Sequence, residues 1–137
     1  MRLHDDGRVP NDNPFLDIPG AESAMWSYGH RNPQGLEYSV ALGQLWSSEM
    51  GPRGGDEFNI IEPSLNYGWP LYSLGVNYDG TPVAFGALLG IEFNIADIAQ
   101  PVVDLTPSPA ISSFVSYEGA KFPSWRGDII AGTLRAS

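Results

Sequence analysis

Glycine or proline interrupts this chain every few residues: sixteen glycines and twelve prolines are spread over 137 positions. Glycine loses the most backbone entropy on ordering and proline lacks the amide that a helix interior needs. A helix of ten or more residues therefore has few places to start, and the apolar runs are cut to strand length. Strands are expected at residues 35–41, where Leu36, Tyr38 and Val40 alternate with Glu37 and Ser39, and at 44–49, 57–61, 112–117 and 128–134. Turns separate them at Leu42-Gly43, at 51–56 and at 118–127. Residues 85–99 are the exception: Leu88, Leu89, Ile91, Ile95 and Ile98 are spaced for one or two short helical turns, read here as a buried connector.

The chain is thus all-β, and its length narrows the architecture. Residues 36–49 and 114–133 share one plan, an aromatic-bearing strand, a glycine-containing connection and a short apolar strand, at an offset of about 80 residues. Short strands, turn punctuation and a loose repeat fit a sandwich, a barrel or part of a propeller. Propeller repeats span about 40–50 residues and closure takes at least about four blades. A chain of 137 residues holds about three at most and cannot close a ring alone.

Charge and composition exclude several function classes. Sixteen acidic against seven basic residues give a net charge of −9, which repels phosphate backbones and anionic membranes, so no nucleic-acid partner is expected. No stretch approaches the ~18 uncharged apolar residues of a membrane helix, and the first residues lack the apolar segment of a signal peptide. The absence of cysteine removes disulfides, thiolate catalysis and zinc-thiolate or iron–sulfur sites. An apolar content of 42% is enough for a packed core. No dinucleotide-binding glycine fingerprint, phosphate-binding loop, zinc-protease helix or nucleophile elbow is present.

The chemically equipped turns gather in residues 26–70: Tyr28-Gly29-His30-Arg31-Asn32-Pro33-Gln34-Gly35-Leu36, then Ser48-Glu49-Met50-Gly51-Pro52, then Asp56-Glu57-Phe58-Asn59 and Asn66-Tyr67-Gly68-Trp69-Pro70. Arg31 and Asn32 stand between a Gly-His turn and a proline, a setting that aims a guanidinium and an amide off a strand end; a structural ion pair is the other reading of Arg31. Gly51-Pro52 favours a turn whose carbonyl oxygens can converge, the donor type calcium takes, although such a pair can equally just reverse the chain. The Asp56-Glu57 pair is either a solvated turn or a source of hard oxygen ligands. Trp26, Trp46, Trp69 and Trp125 can stack on sugar rings, but in short strands large aromatics mostly pack.

These motifs, together with Arg2-Leu3-His4-Asp5-Asp6-Gly7, Asn13-Pro14-Phe15, Gly75-Val76-Asn77-Tyr78-Asp79-Gly80-Thr81, Thr106-Pro107-Ser108-Pro109-Ala110 and Phe122-Pro123-Ser124-Trp125-Arg126-Gly127-Asp128, resemble those of the glucose/sorbosone dehydrogenase family. Members of that family are soluble six-bladed β-propellers that oxidise aldose sugars with pyrroloquinoline quinone (PQQ) and calcium, and the nearest branch is the bacterial aldose sugar dehydrogenases. The likeness covers nearly the whole chain. It implies that residues 1–137 form a partial propeller domain of about two to three blades with antiparallel blade sheets, from a periplasmic or secreted protein.

The resemblance also implies roles. Arg31 and Asn32 match positions that face the quinone, and Arg31 matches the arginine that polarises its oxygen during catalysis. Ser108 matches a cofactor-contacting hydroxyl, and Arg135 a basic residue that pairs with a cofactor carboxylate; a solvated terminal arginine is the other reading. Gly51 and Pro52 match carbonyls that seat the cofactor's calcium, and Glu57 and Tyr67 match ligands of a further calcium. In the resembled mechanism a histidine from an upstream blade takes the anomeric proton. Neither His4 nor His30 matches its motif, and His30 reads as a packing or hydrogen-bonding residue. The implied function is a quinoprotein oxidoreductase fragment acting on aldoses, inactive alone for want of that base. The alternative is a non-catalytic, propeller-derived carbohydrate-binding or protein-interaction module. Bare blade edges further suggest a homo-oligomer that completes a ring.

Overall fold

The computed structural model describes residues 1–135. Six strands form: β1 (Pro33–Ser39), β2 (Gln44–Glu49), β3 (Glu57–Ile60), β4 (Val103–Asp104), β5 (Ile111–Ser116) and β6 (Ile129–Thr133). They make two antiparallel sheets, one ordered β1-β2-β3-β4 and one made of the β5-β6 hairpin. The two stretches that share a sequence plan become the β1-β2 and β5-β6 hairpins, and these stack on each other as neighbouring blades do. Five of the six strands lie within a residue or two of their sequence-based bounds. The exception is β4, where a two-residue pairing of Val103 with Phe58 and Asp104 with Glu57 leaves no alternation to read.

The core lies between the sheets. Trp46, Phe58, Ile111 and Phe114 are buried there, with Phe58 and Phe114 edge to face at 5.1 Å, and Ile60, Leu105, Ile129 and Ala131 close around them. Because side chains alternate, β2 and β3 sort cleanly: Trp46 pairs with Ile60 and Ser48 with Phe58 on the core face, while Ser47 pairs with Asn59 and Glu49 with Glu57 on the opposite face. One strand thus feeds the hydrophobic core and, on its other side, a buried polar row.

The alternation in β1 has the opposite sense to that of a strand with its apolar side inward. Its polar side packs on β5. Glu37 accepts the Ser116 amide at 2.8 Å, the Ser39 and Ser116 hydroxyls are 3.3 Å apart, and Gly35 lies where a Cβ would come within 2.8 Å of the Phe114 ring. That crowding and the need to satisfy a bare β5 amide decide the orientation. Leu36 and Tyr38 consequently face outward, 67% and 58% exposed. Residues 85–99 correct the buried-connector reading. The short helical turns form, as α1 (Phe85–Leu89) and a 3-10 turn at Ile95–Asp97, but Leu88 is 81% exposed and of the five spaced residues only Ile98 is buried. Among the described residues no helix is long and apolar enough to cross a membrane.

Between β2 and β3 the 51–55 loop has almost no side chains to pack and meets its neighbours backbone to backbone. A Cβ on Gly51 would lie 2.1 Å from the Gly54 carbonyl, and one on Gly55, at φ 68°, would lie 2.3 Å from the Gly75 amide. Asp56, fully buried, closes the loop: its carboxylate accepts the amide of Gly51 at 3.1 Å and that of Ile111 at 2.8 Å, tying the loop to the first residue of β5. Replacing Asp56 with Ala strands two amides in a dry interior. Asp56→Ala is expected to lower the unfolding free energy by about 2–4 kcal/mol in urea titrations, whereas exposed Asp97→Ala changes it by under ~0.5 kcal/mol.

Candidate cofactor and metal site

Glu49 organises the turn that carries the sequence-predicted cation. It sits at the end of β2, 3% exposed, and its Oε1 accepts the main-chain amides of Arg31 and of Asn32, the latter at 3.0 Å. Its Oε2 is 3.2 Å from His30 Nδ1, while His30 Nε2 is 2.9 Å from the Ser27 hydroxyl and the imidazole stacks on Tyr67 at 4.7 Å. A single carboxylate therefore fixes three consecutive residues. His30 takes the hydrogen-bonding and packing role read from its sequence context.

Arg31 is aimed by this turn at the 51–55 loop. Its Nη1 donates to the Met50 carbonyl at 3.1 Å and to the Gly51 carbonyl at 2.9 Å, its Nη2 is 3.5 Å from the Tyr78 hydroxyl, and the guanidinium lies 5.2 Å from the Trp69 ring centre. Among the described residues no carboxylate pairs with it, which removes the structural ion-pair reading. Its Nε is buried without a partner. The group is positioned by carbonyls and an aromatic face, and its charge stays unneutralised.

Arg31, Gly51, Glu57 and Tyr67 line one narrow cavity of about 20 Å³, together with Glu49 and Trp69. That volume admits one water or one bare ion, while Arg31 Nη2 turns out of it toward the exposed Tyr78 hydroxyl. Burial pushes the Glu57 carboxyl up to about 7, and the nearby Glu49 carboxylate acts in the same direction against the opposing hydrogen bond from Asn59. Asn59 Nδ2 donates to Glu57 at 3.0 Å, while the Oδ1 of the same amide is buried with no partner. The Tyr67 phenol donates to the Ile60 carbonyl at 2.6 Å and accepts the Glu62 amide at 2.9 Å, so only its main-chain carbonyl is left to meet a cation. The two carboxylates and the main-chain carbonyls lining the cavity are hard oxygen donors of the kind a hard cation takes, and the unpartnered Asn59 oxygen lies beside Glu57 without lining it. Among the described residues no three acidic or histidine side chains converge as a metal site, so carbonyls have to complete any coordination.

The remaining predicted residues fall elsewhere. Ser108 and Arg135 line a second, open cavity of about 490 Å³ with Arg53, Gly54 and Thr106, on the far side of the 51–55 loop. Asn32 lines neither cavity: its side-chain oxygen accepts Gln34 Nε2 at 2.8 Å and its Nδ2 is 3.9 Å from Met50 Sδ. Pro52 also stays outside both linings, its ring packed beside Gly75. Glu49 and Asn59 are not singled out by the sequence reading; their only signal is the alternation of polar residues in an otherwise buried strand pair. Asp56 enters that reading only in the Asp56-Glu57 pair, and its full burial rules out a solvated turn there. Trp46 packs in the core, Trp26 lies under the Arg2 guanidinium at 4.8 Å, and Trp125 stacks on Phe122.

Comparison with known proteins agrees over the same length. The family model described as "Glucose / Sorbosone dehydrogenase" matches residues 1–137. Aldose sugar dehydrogenase YliI of Escherichia coli is 44% identical over 98% of this chain and 35% of its own, and quinoprotein glucose dehydrogenase B of Acinetobacter calcoaceticus is 34% identical over 89% and 25%. Among solved structures, the soluble aldose sugar dehydrogenase of Escherichia coli in its apo form superposes with a TM-score of 0.86 at 41% identity, covering 97% of this chain and 37% of that one. The PQQ-bound aldose sugar dehydrogenase of Streptomyces coelicolor gives 0.63 at 29% identity, covering 98% and 31%. The chain thus spans about a third of the length of these relatives and corresponds to part of a β-propeller. On the strength of a family match across all its residues, this chain belongs to the glucose/sorbosone dehydrogenase family.

Proposed function

We propose that residues 1–137 are a partial propeller domain of a quinoprotein aldose dehydrogenase, contributing the cation seat and part of the cationic rim of its redox site. The observation that carries this reading is the Arg31 guanidinium, without a carboxylate partner among the described residues and held 2.9 Å from the Gly51 carbonyl beside the cavity it shares with Glu57 and Tyr67. When bound, PQQ would supply the hydride acceptor for the sugar's C1 and calcium a Lewis acid beside it.

The chain's own residues have separable tasks. Glu57 and the Tyr67 carbonyl, with Glu49 and Asn59 at hand, would hold a calcium ion behind the loop, and the carbonyls of Gly51 and Pro52 would present oxygens to a calcium on its cofactor side. Arg31 would place a permanent positive charge against the quinone oxygens, with Trp69 excluding water from one side of the guanidinium. Asn32, Ser108 and Arg135 would supply an amide, a hydroxyl and a guanidinium to the cofactor's polar edge. The proton-accepting histidine would come from outside these residues, so the isolated chain would not oxidise sugar. The outward apolar faces of β1 (Leu36, Tyr38) and of the β5-β6 hairpin (Val115, Ile130) would pack on further blades, supplied by a longer chain or by other copies. Similarity to soluble relatives supports a periplasmic setting for the whole enzyme.

Two experiments test the assignments. In calorimetric titration with calcium and then PQQ, Arg31→Ala is expected to weaken quinone binding at least about tenfold, in keeping with loss of a charge-assisted contact, while leaving the calcium heat unchanged. Loss of both heats, or of neither, defeats the role given to Arg31. The second uses pH. Because the folded-state pKa of Glu57 is raised from 4.5 to about 7, the fold favours its neutral acid; the contribution of Glu57 to stability without calcium is full below about 4.5 and is lost as pH rises through 7, by up to roughly 3 kcal/mol. Calcium at pH 8 should restore it by binding the ionised form, and Glu57→Gln should flatten both the pH dependence and the calcium response in thermal unfolding.

A further inference from the structure

We infer that Arg53 is a further cofactor-binding residue, which holds a carboxylate of the quinone jointly with Arg135 in the open cavity beyond the 51–55 loop. The inference rests on the proposed quinoprotein reading and adds to it a residue that the family resemblance did not assign.

The cavity, about 490 Å³, is lined by Arg53, Arg135, Thr106 and Ser108 and, among the described residues, by no aspartate or glutamate. Both hydroxyl oxygens already accept a main-chain amide: Thr106 Oγ1 that of Gly55 at 3.0 Å, and Ser108 Oγ that of Ala110 at 3.1 Å. Each hydroxyl therefore keeps its proton free to donate, so every polar side chain lining the cavity can act as a donor. The nearby acids are engaged by main chain. Asp104 accepts the Thr106 amide at 2.9 Å and Asp79 the Thr81 amide at 3.0 Å.

Both arginines are set in place by their backbones. Arg53 and Val76 exchange reciprocal amide–carbonyl bonds, each of 3.1 Å, and the Arg53 guanidinium lies alongside Gly80, with Nη1 4.0 Å from where a Cβ would sit. Arg135 donates its amide to Pro109 at 3.0 Å, which ties the end of β6 to the Ser108 turn. Arg2 and Arg8 are paired with Asp12 and Asp6, but among the described residues neither Arg53 nor Arg135 has a carboxylate partner. In a chain of net charge −9, two arginines lining one cavity with no aspartate or glutamate beside them among the described residues run against the average field. Planar forks of this kind match carboxylates in bidentate fashion, and PQQ is a tricarboxylate.

The test is PQQ binding in the presence of calcium at low and high salt, followed by quenching of tryptophan fluorescence. Arg53→Met, which keeps the stem, is expected to weaken binding at least about tenfold at low salt and to reduce its salt dependence. Arg53→Lys should recover only part of the loss, and Arg126→Ala, an exposed arginine elsewhere, should bind as the unaltered chain does. Circular dichroism and the unfolding midpoint of Arg53→Met should match those of the unaltered chain. If the unaltered chain binds PQQ and Arg53→Met binds equally well, or loses no more than Arg126→Ala, the role of Arg53 is overturned and the quinoprotein reading stands. If the unaltered chain binds no PQQ, both fall together.

Discussion

Two buried carboxylates bracket the 51–55 loop, and nearly everything functional in this chain depends on how they are satisfied. Glu49 before the loop and Asp56 after it are both removed from water, yet neither pairs with a lysine or arginine side chain. They accept main-chain amides instead, of Arg31 and Asn32 in one case and of Gly51 and Ile111 in the other. Burying a carboxylate is costly unless hydrogen bonds to its charged form offset the lost hydration. Here three of those four bonds reach segments at least seventeen residues away, so the same contacts that make the charges tolerable also fasten irregular loops to the sheets.

This arrangement explains how a chain with so little regular structure presents a defined site. Arg31 follows a glycine and precedes a proline by two residues, so no strand ladder fixes it; Glu49 does. The loop that receives its guanidinium has only an isolated bridge, between Arg53 and Val76, over 51–55, and Asp56 closes it. On either side lie cavities of opposite character, a small one rich in oxygen acceptors and an open one made of donors. The loop separates a place fit for a cation from a place fit for an anion.

How much of this was legible in the sequence follows from the range of the interactions involved. Strand positions were readable because glycine and proline act locally, and the 44–49 strand was placed to the residue. The orientation of β1 was not, since it depends on Phe114 and Ser116, more than seventy residues away. Likewise the apolar residues of α1 gave helical spacing but no hint that their face would be left uncovered. In the site, Arg31 stood out by its charge and its turn context. Glu49 and Asp56 did not, because their partners are main-chain amides, which every sequence contains. For Tyr67 the resemblance named the residue, but only coordinates show that its phenol is engaged, leaving the carbonyl as the available oxygen.

The peptide-to-peptide packing of Gly51, Gly55 and Gly75 carries a consequence for how an ion would be received. With no side chain on its three glycines and a neighbouring main chain in van der Waals contact, the loop backbone has few torsional alternatives open to it. Its carbonyl dipoles are already oriented before any ligand arrives. Little of the binding free energy would then be consumed in ordering the host, and selectivity would come from a mouth of fixed bore that rejects ions of the wrong radius.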